Sequence, residues 1–219
     1  METMILTSML DTLTRWDTSA TLAINGVHCG YLDNFMMMYS GRFVWIPLYV
    51  SLLVVMLRNF HPKTVLFSLL FTALLITLCD QTASSILRPI FCRLRPANLD
   101  NPISPFVHVV DGYRGGRFGF PSSHSANCWG AFFFFTYVFR RRILSYMLMA
   151  WAVLMCWSRV YLGVHYVGDI CFGMMVGLFQ ASLTYYIFLN MLRKHAQSLK
   201  PQASDCKLYT PAVVCGLET

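Results

Sequence analysis

The residues best suited to chemistry in this sequence lie in three short clusters. The first cluster reads Arg88-Pro-Ile-Phe-Cys-Arg-Leu-Arg95-Pro96, so that Arg88 and Arg95 each precede a proline. Because proline disfavours helix at the residue before it, we expect both arginines where the chain turns away from a preceding helix. Arginine forks match phosphate oxygens and keep their charge. The pair therefore indicates an oxyanion site, and anchoring among lipid headgroups is the simpler alternative.

The second cluster is Phe120-Pro121-Ser122-Ser123-His124. Proline followed by serine is typical of a helix start, where the first backbone N–H groups and the helix dipole favour an anion. Ser122 and Ser123 are therefore predicted phosphate ligands, and His124 is a candidate proton donor to the same ligand. Taken alone, the motif also fits a capping serine beside an unrelated histidine.

The third cluster is Ser158-Arg159-Val-Tyr-Leu-Gly-Val-His165-Tyr-Val-Gly-Asp169. His165 and Asp169 are four residues apart, so a helix that starts near His165 places them on one face, where the carboxylate can orient the imidazole. A carboxylate-oriented histidine near Arg159 has the residue types of a nucleophile. A purely structural His–Asp pair is the alternative.

The composition indicates the environment in which these clusters work. Hydrophobic residues make up 56% of the chain and charged residues 12%, whereas about a quarter of a soluble domain is charged. The formal charge of +7 comes from basic residues at the ends of apolar segments, which favours membrane topology and anionic ligands over nucleic acid. The eight cysteines are scattered, without metal-ligand spacing. We therefore predict a membrane protein with free thiols, no metal and no cofactor.

Five segments are long and apolar enough to be predicted as membrane spans, for which roughly 20 residues are needed. The predicted fold is an all-α, polytopic membrane helical bundle of about five transmembrane helices with an N-terminal interfacial helix. A single membrane-embedded domain is predicted over residues 1–192, with residues 1–33 interfacial, followed by a polar cytoplasmic tail over residues 193–219. The five spans are Phe43–Leu57 extended by Phe35–Tyr39, Thr64–Leu87, Ser125–Phe139, Ile143–Trp157 and Ile170–Leu192.

Short basic loops set the predicted orientation. They follow the first span, join the third span to the fourth at Arg140–Arg142, and follow the fifth. Such loops are typically cytoplasmic, which places the N-terminus outside and all three clusters together on the non-cytoplasmic face. Because all three clusters lie on the same face, one common functional site is favoured over the separate structural explanations given above for each cluster. The glycine-rich stretch Asp111–Gly119, between the first two clusters, is predicted to be a mobile or tightly turned loop.

The ordered motifs resemble the type-2 phosphatidic acid phosphatase superfamily. The resemblance rests on Arg88 with six residues to Arg95-Pro96, on Pro121-Ser-Ser-His124, and on Ser158-Arg159 with five residues to His165 and three more to Asp169. The sequence departs from the family pattern twice, since the family usually has lysine where Arg88 stands and glycine where Ser123 stands. Arginine keeps the charge and serine keeps the backbone N–H, so neither departure implies lost activity.

The resemblance implies a metal-independent phosphatase that acts through a phosphohistidine. His165 would be the nucleophile, Asp169 would fix its tautomer, and His124 would transfer protons. The predicted phosphate-binding residues are Arg88, Arg95, Ser122, Ser123 and Arg159.

The implied substrate is a lipid phosphate or diphosphate, with undecaprenyl diphosphate or lipid A favoured and phosphatidate or phosphatidylglycerol phosphate as alternatives. The implied location is a bacterial inner membrane, with the site facing the periplasm. We predict no nucleic-acid ligand and no obligate protein partner. Vanadate-dependent haloperoxidases share the motifs but are soluble. A non-catalytic scaffold or transporter is the other alternative, although transport usually leaves ionisable residues within spans.

Overall fold

The computed structural model describes residues 2–41 and 43–199, and in these ranges the chain is helical without a β-strand. The prediction of an all-α fold is confirmed. The helices are α1 (Glu2–Asn25), α2 (Gly30–Tyr39), α3 (Ile46–Asn59), α4 (Pro62–Asp80), α5 (Arg88–Phe91), α6 (Ser123–Phe139), α7 (Arg142–Tyr161) and α8 (Val167–Leu199). A π-helical stretch, Gln81–Leu87, joins α4 to α5, and short 3₁₀ turns occupy Phe43–Trp45 and Ser104–Phe106.

Three helical segments are long and apolar enough to cross a membrane on their own: Pro62–Phe91, Arg142–Tyr161 and Val167–Lys194. A fourth span exists if α2 and the segment Phe43–Asn59, which are bent by 73° at their junction, form one broken span. The remaining predicted span corresponds to α6, whose 17 residues extend about 25 Å at 1.5 Å per residue. All five predicted segments are thus helical, although not all are full-length spans.

The outer surface of the bundle is apolar, as lipid contact requires. Large side chains project outwards from the long helices, including Leu66 at 57% exposure, Met147 at 62% and Phe179 at 67%. Contiguous apolar surface of this kind is rare on soluble monomers. Together with the spans, it identifies an integral membrane protein.

Helix α6 lies at the centre of the bundle, against α4, α7 and α8. It approaches α8 closely because Gly173 and Gly177, one turn apart on α8, face it. A Cβ atom on Gly177 would lie 2.5 Å from the carbonyl oxygen of Ala126, and one on Gly173 would lie 2.6 Å from that of Ser122. Such small-residue contacts let membrane helices pack backbone to backbone. The contact brings the beginnings of α6 and α8 together.

The prediction that proline keeps Arg88 out of the helix is wrong. Arg88 has helical dihedral angles, and its N–H donates to the carbonyl of Ala83, five residues back. In a regular α-helix the ring of Pro89 would clash with the carbonyl four residues earlier. The π-helical stretch supplies a wider turn, and the chain leaves the helix only at Cys92, which has a left-handed conformation. Arg88 therefore projects from a helix.

Helix α1 is more than a surface element. It is not among the helices apolar enough to span a membrane, and it packs on α7 and α8; its interfacial position stays a prediction. Its buried Asn25 side chain donates to the carbonyls of Tyr161 at 2.7 Å and His108 at 2.9 Å. These bonds attach α1 to the end of α7 and to the connection between α5 and α6.

Two predictions fall wholly or partly outside the described residues. The first predicted span, Phe43–Leu57 extended by Phe35–Tyr39, runs across residue 42, which the structure does not describe. The predicted tail is helical as far as Leu199, because α8 continues seven residues beyond Leu192. The rest of that prediction concerns residues 200–219, which also lie outside the described ranges.

The glycine contact gives a stability prediction. Gly177→Val should lower the free energy of unfolding of the detergent-solubilised protein by about 1–3 kcal/mol, because overpacking destabilises well-packed interiors. It should also reduce activity, because it separates α6 from α8. The control Met175→Val introduces the same side chain on α8 at a position that is 60% exposed and should change little. Equal thermal melts for the two variants would contradict the close packing described above.

Candidate active site

Three arginines converge at the end of the bundle where α6 and α8 begin. Arg88 Nη2 donates to Ser123 Oγ at 2.7 Å, Arg95 Nε donates to the carbonyl of Phe118 at 3.0 Å, and Arg159 donates to Ser40 Oγ and Tyr113. Burial, reinforced by the charges of the other two arginines, lowers the pKa of Arg95 to about 10. Arg95 therefore remains cationic at neutral pH. The structure brings Arg159 of the third cluster together with Arg88 and Arg95 of the first.

Arg88 and Ser123 are the two positions at which the sequence departs from the family pattern, and the hydrogen bond described above joins them to each other. Arg95 and Arg159 are only 8% and 3% exposed, and the Nε atoms of Arg88 and Arg159 are buried without a hydrogen-bond partner. Buried cations and unpaired donors are unfavourable unless they bind an anion. The arrangement therefore fits a phosphate group held by guanidinium forks.

The start of α6 adds backbone donors to this site. Ser122 is the N-cap residue, and its side chain accepts from the N–H of Ser125 at 3.3 Å. The first intrahelical bond runs from Ala126 to the carbonyl of Ser122, so the amides of Ser123 and His124 have no partner within the helix. The predicted helix start is confirmed. The roles of Ser122 and Ser123 in binding phosphate stay a prediction, and the buried Ser122 hydroxyl already serves as a cap.

His165 and Asp169 face each other as their spacing predicts. His165 lies two residues before α8, and its Nδ1 is 3.5 Å from Asp169 Oδ2, longer than a well-formed hydrogen bond. The same carboxylate oxygen accepts from the N–H of Tyr166 at 3.0 Å, which fixes its direction. Catalytic hydrogen bonds are often long without substrate and tighten later. The two side chains are thus in contact, and Nδ1 of His165 makes no hydrogen bond in this structure.

His165 is poised in its neutral form. Burial and the charges of the three arginines hold the pKa of His165 well below its usual value. A lowered histidine pKa favours the unprotonated ring, so the imidazole is neutral at physiological pH and has a lone pair available for attack on phosphorus. With Nδ1 directed at Asp169, Nε2 is the nitrogen suited to that attack.

His124 is the second residue of α6, and its side chain is more exposed than that of His165. It is exposed to the interior of the site, whereas His165 is 1% exposed. Burial, followed by the charges of the three arginines and of His165, lowers the pKa of His124 to about 3 in the absence of a ligand, and the negative charge of a bound phosphate favours its protonated form. An accessible histidine beside His165 is in the position that the predicted proton transfer to a leaving group requires.

The glycine-rich stretch covers the site as a tightly turned loop. Asp111, Gly112 and Gly115 have left-handed backbone conformations. A Cβ atom on Gly115 would lie 2.6 Å from Arg95 Nη1, and one on Gly119 would lie 3.1 Å from Asp169 Oδ2 and 3.5 Å from His165 Nδ1. The backbone can approach the reacting groups this closely only because these residues lack side chains.

An apolar cavity of about 510 Å³ adjoins the site. His124 and Ser40 line it beside predominantly apolar side chains from α3, α4, α6 and α7, such as Leu52 and Phe135. A cavity with a polar end at the phosphate site and an apolar body suits a phosphate that is attached to an acyl chain.

Sequence reasoning missed several residues of the site. Arg93 lies within the first cluster and donates to Asp169 Oδ1 at 2.8 Å, and its place between two candidate arginines was an available signal. Tyr113, in the glycine-rich stretch, accepts a bond from Arg159 at 3.1 Å. Asp17 and Ser40 contact site arginines from sequence that carries no comparable motif. In the described ranges, no group of three His, Cys, Asp or Glu side chains could hold a metal ion.

The sequence matches the family model of the PAP2 superfamily over residues 64–193, and the chain belongs to that superfamily. It is a membrane lipid phosphate phosphatase of the PAP2 type, which confirms the predicted enzyme class. It is 44% identical over 179 residues to the lipid A 4'-phosphatase of Bacteroides thetaiotaomicron, covering 82% of this chain and 80% of the relative. It is 32% identical over 195 residues to the lipid A 4'-phosphatase of Porphyromonas gingivalis, covering 89% and 80%.

Two crystal structures have a similar fold. LpxE of Aquifex aeolicus superposes with a TM-score of 0.52 at 22% identity, covering 76% of this chain and 93% of that one. The PAP2-type phosphatidylglycerolphosphate phosphatase of Bacillus subtilis gives a TM-score of 0.58 at 23% identity, covering 87% and 92%. The predicted polytopic phosphatase fold is therefore confirmed.

The close approach of the loop gives a testable pair of substitutions. Gly119→Ala places a methyl group against Arg95 and the His–Asp pair, and should lower kcat/KM by roughly tenfold to a hundredfold through misplacement of reacting groups. Gly116→Ala is the matched control, because nothing lies within 4 Å of a Cβ atom at that position. Phosphate release from a lipid phosphate measures both. Full activity in Gly119→Ala would mean that the loop does not lie this close during turnover.

Proposed function

We propose that this phosphatase removes the 4'-phosphate of lipid A, with its active site facing the periplasm of a bacterial inner membrane. The single observation that carries the catalytic part of the proposal is the convergence of three arginines, of which Arg95 and Arg159 are buried and Arg88 is half-buried, on a neutral, buried His165 and an accessible His124. The choice of lipid A rests on the two relatives described above, one of them 44% identical to this chain. The adjoining apolar cavity supports a lipid rather than a soluble phosphate ester.

The first chemical step forms a phosphohistidine. His165 Nε2 attacks phosphorus, the bond from phosphorus to the sugar oxygen breaks, and His124 in its protonated form gives a proton to that oxygen. Arg88, Arg95 and Arg159 hold the phosphoryl oxygens and stabilise the negative charge of the transition state. Asp169 stabilises the positive charge that the imidazole acquires on phosphorylation.

The second step regenerates the enzyme. Neutral His124 accepts a proton from water, whose oxygen attacks phosphorus while the bond from phosphorus to His165 Nε2 breaks. Inorganic phosphate leaves, and both histidines return to their starting states. Every group required for this cycle belongs to the protein, which supports a reaction that proceeds without a metal.

The periplasmic orientation is supported by the distribution of basic residues. Helix α6 runs from the site at Ser123 to its last residue, Phe139, and the arginine triplet Arg140–Arg142 follows directly. Arg141 donates to Asn59 Oδ1 at the end of α3 at 2.6 Å, so the basic loops gather at the end of the bundle opposite the site. By the positive-inside rule, that basic end is cytoplasmic.

A panel of lipid phosphates tests the substrate. Purified protein in detergent should release phosphate from the 4' position of bisphosphorylated lipid A faster than from undecaprenyl diphosphate, phosphatidylglycerol phosphate or phosphatidate, and excess EDTA should not abolish the activity. Mass spectrometry of the product locates the remaining phosphate. Preference for another member of the panel, or loss of activity in EDTA that magnesium restores, would contradict the proposal.

The two histidines should be separable by their leaving-group dependence. His165→Ala removes the nucleophile and should abolish turnover of every substrate. His124→Ala removes only proton transfer, typically about a hundredfold to ten-thousandfold, and its cost should shrink with nitrophenyl phosphate, whose leaving group needs little protonation. Acid-labile phosphohistidine should be trapped in His124→Ala and be absent from His165→Ala. Label on residue 124 of the wild-type protein would reverse the assignment.

A further inference from the structure

We propose that Arg93 and Asp17 are positioning residues for the nucleophile, acting in a charge chain that runs from Asp17 through Arg93 and Asp169 to His165. The inference rests on the proposed function, because it assigns His165 as nucleophile and Asp169 as its partner. It extends the site to α1 and to an arginine that is distinct from the phosphate-binding set. It gives the N-terminal helix a direct effect on catalysis.

One guanidinium group joins the two carboxylates. Arg93 Nη1 lies 2.8 Å from Asp169 Oδ1, and Arg93 Nη2 lies 2.6 Å from Asp17 Oδ2. The guanidinium carbon also lies 3.8 Å from the centre of the Tyr166 ring. Burial opposes the charge of Arg93, but the two carboxylates outweigh it and raise the pKa of this arginine. Arg93 is therefore a fixed cation oriented by three contacts.

Helix α1 fixes the start of α8 at the same point. Asp17 Oδ1 accepts the N–H of Gly168 at 2.7 Å, and Thr21 Oγ1 accepts the N–H of Val167 at 3.1 Å. Gly168 itself has no room for a side chain, because a Cβ atom would lie 2.8 Å from Asp17 Oδ2. These bonds satisfy amides that a helix start leaves unpaired. The bond to Asp17 holds the backbone next to Asp169, from which Asp169 reaches His165, whereas the bond to Thr21 docks α1 on α8.

The charges explain why Asp17 is needed in addition to Arg93. Asp169 is fully buried, and a buried carboxylate requires a cation nearby. If Arg93 served Asp169 alone, the pair would be neutral and would stabilise a charged imidazole only weakly. Asp17 shares the guanidinium, so the three groups together carry one net negative charge. That charge faces His165 as the ring becomes positive on phosphorylation.

The remaining charged groups around His165 all oppose this positive charge. They are Arg88, Arg95 and Arg159, whose charges act on the ring, and His124, with which it interacts electrostatically. Asp169, at 3.5 Å, is the carboxylate that faces the ring. The cations that bind phosphate thus disfavour a positively charged His165 ring. The net negative charge shared by Asp17, Arg93 and Asp169 compensates for this repulsion.

Four substitutions, two of them controls, separate the electrostatic role from a structural one. In Asp17→Asn, the amide oxygen can still accept from the N–H of Gly168. The group that faces Arg93 is then an uncharged amide nitrogen in place of a carboxylate oxygen. Arg93→Gln removes the shared cation. Thr21→Val removes only the bond to Val167, so it is a matched control for the docking of α1. Arg117→Gln is a surface control, since its pair with Asp100 is 3.6 Å apart and largely exposed.

We expect Asp17→Asn and Arg93→Gln each to lower kcat by about a hundredfold, the size of effect that misplacement at a reacting centre can have, with KM nearly unchanged. Because Asp17 acts through Arg93, the double variant should lose little more than Arg93→Gln alone. Arg93→Lys, which restores the charge but not the fork, should recover part of kcat. Thr21→Val should lower the melting temperature and leave kcat within a fewfold of wild type, and Arg117→Gln should change neither.

The pH profile supplies a readout that a structural role would not move. Loss of the Asp17 charge makes the imidazolium of His165 less favourable, so the acid limb of kcat/KM should move to lower pH in Asp17→Asn and stay in place in Thr21→Val. Phosphate release from bisphosphorylated lipid A and from dioctanoyl phosphatidate measures all variants. If the wild type is active and both Asp17→Asn and Arg93→Gln keep the wild-type kcat, this inference is wrong and the proposed function is unaffected. Additive losses with an unmoved acid limb would also overturn it, and wild type inactive on both lipids would overturn it together with the proposed function.

Discussion

The structure depends on holding three guanidinium groups near one another in a partly buried space. Mutual repulsion and desolvation make this arrangement unfavourable in the absence of an anion, so the surrounding chain must fix each arginine separately. Arg88 is fixed by Ser123, Arg95 by the loop backbone, and Arg159 by Ser40 and Tyr113. The result is an oxyanion site that is organised in advance, as electrostatic stabilisation of a phosphoryl transition state requires. The same charges, together with burial, keep His165 neutral, which is the form that the proposed nucleophile requires.

The fold meets this requirement by bringing two helix starts together. The close packing of Gly173 and Gly177 against α6 leaves little freedom in the relative position of α6 and α8. His124 is carried by one helix start, and Asp169 belongs to the other. The glycine-rich loop lies against Arg95, His165 and Asp169, and α1 contacts the start of α8 through Asp17 and Thr21. The catalytic geometry therefore depends on backbone contacts between elements that are distant in sequence.

Much of the candidate site could be predicted from the sequence because its residues occur in short motifs with fixed spacing. The His165–Asp169 contact follows from four-residue spacing, and the cap at Ser122 follows from its place after proline. The helical conformation of Arg88 could not be predicted, because it depends on a π-helical stretch that absorbs Pro89. Arg93 and Asp17 were missed for a different reason. Their roles arise from a contact between residues 76 positions apart in sequence, which no local pattern encodes.

A structure of the protein with bound orthovanadate tests the proposed roles of the active-site residues most directly. Vanadate adopts the five-coordinate geometry of phosphorus in the transition state, and a site complementary to that geometry should bind it tightly. We expect vanadium bonded to His165 Nε2, equatorial oxygens in contact with Arg88, Arg95 and Arg159, and the apical oxygen opposite Nε2 facing His124. Vanadium bonded to His124, or bound away from the three arginines, would contradict the account.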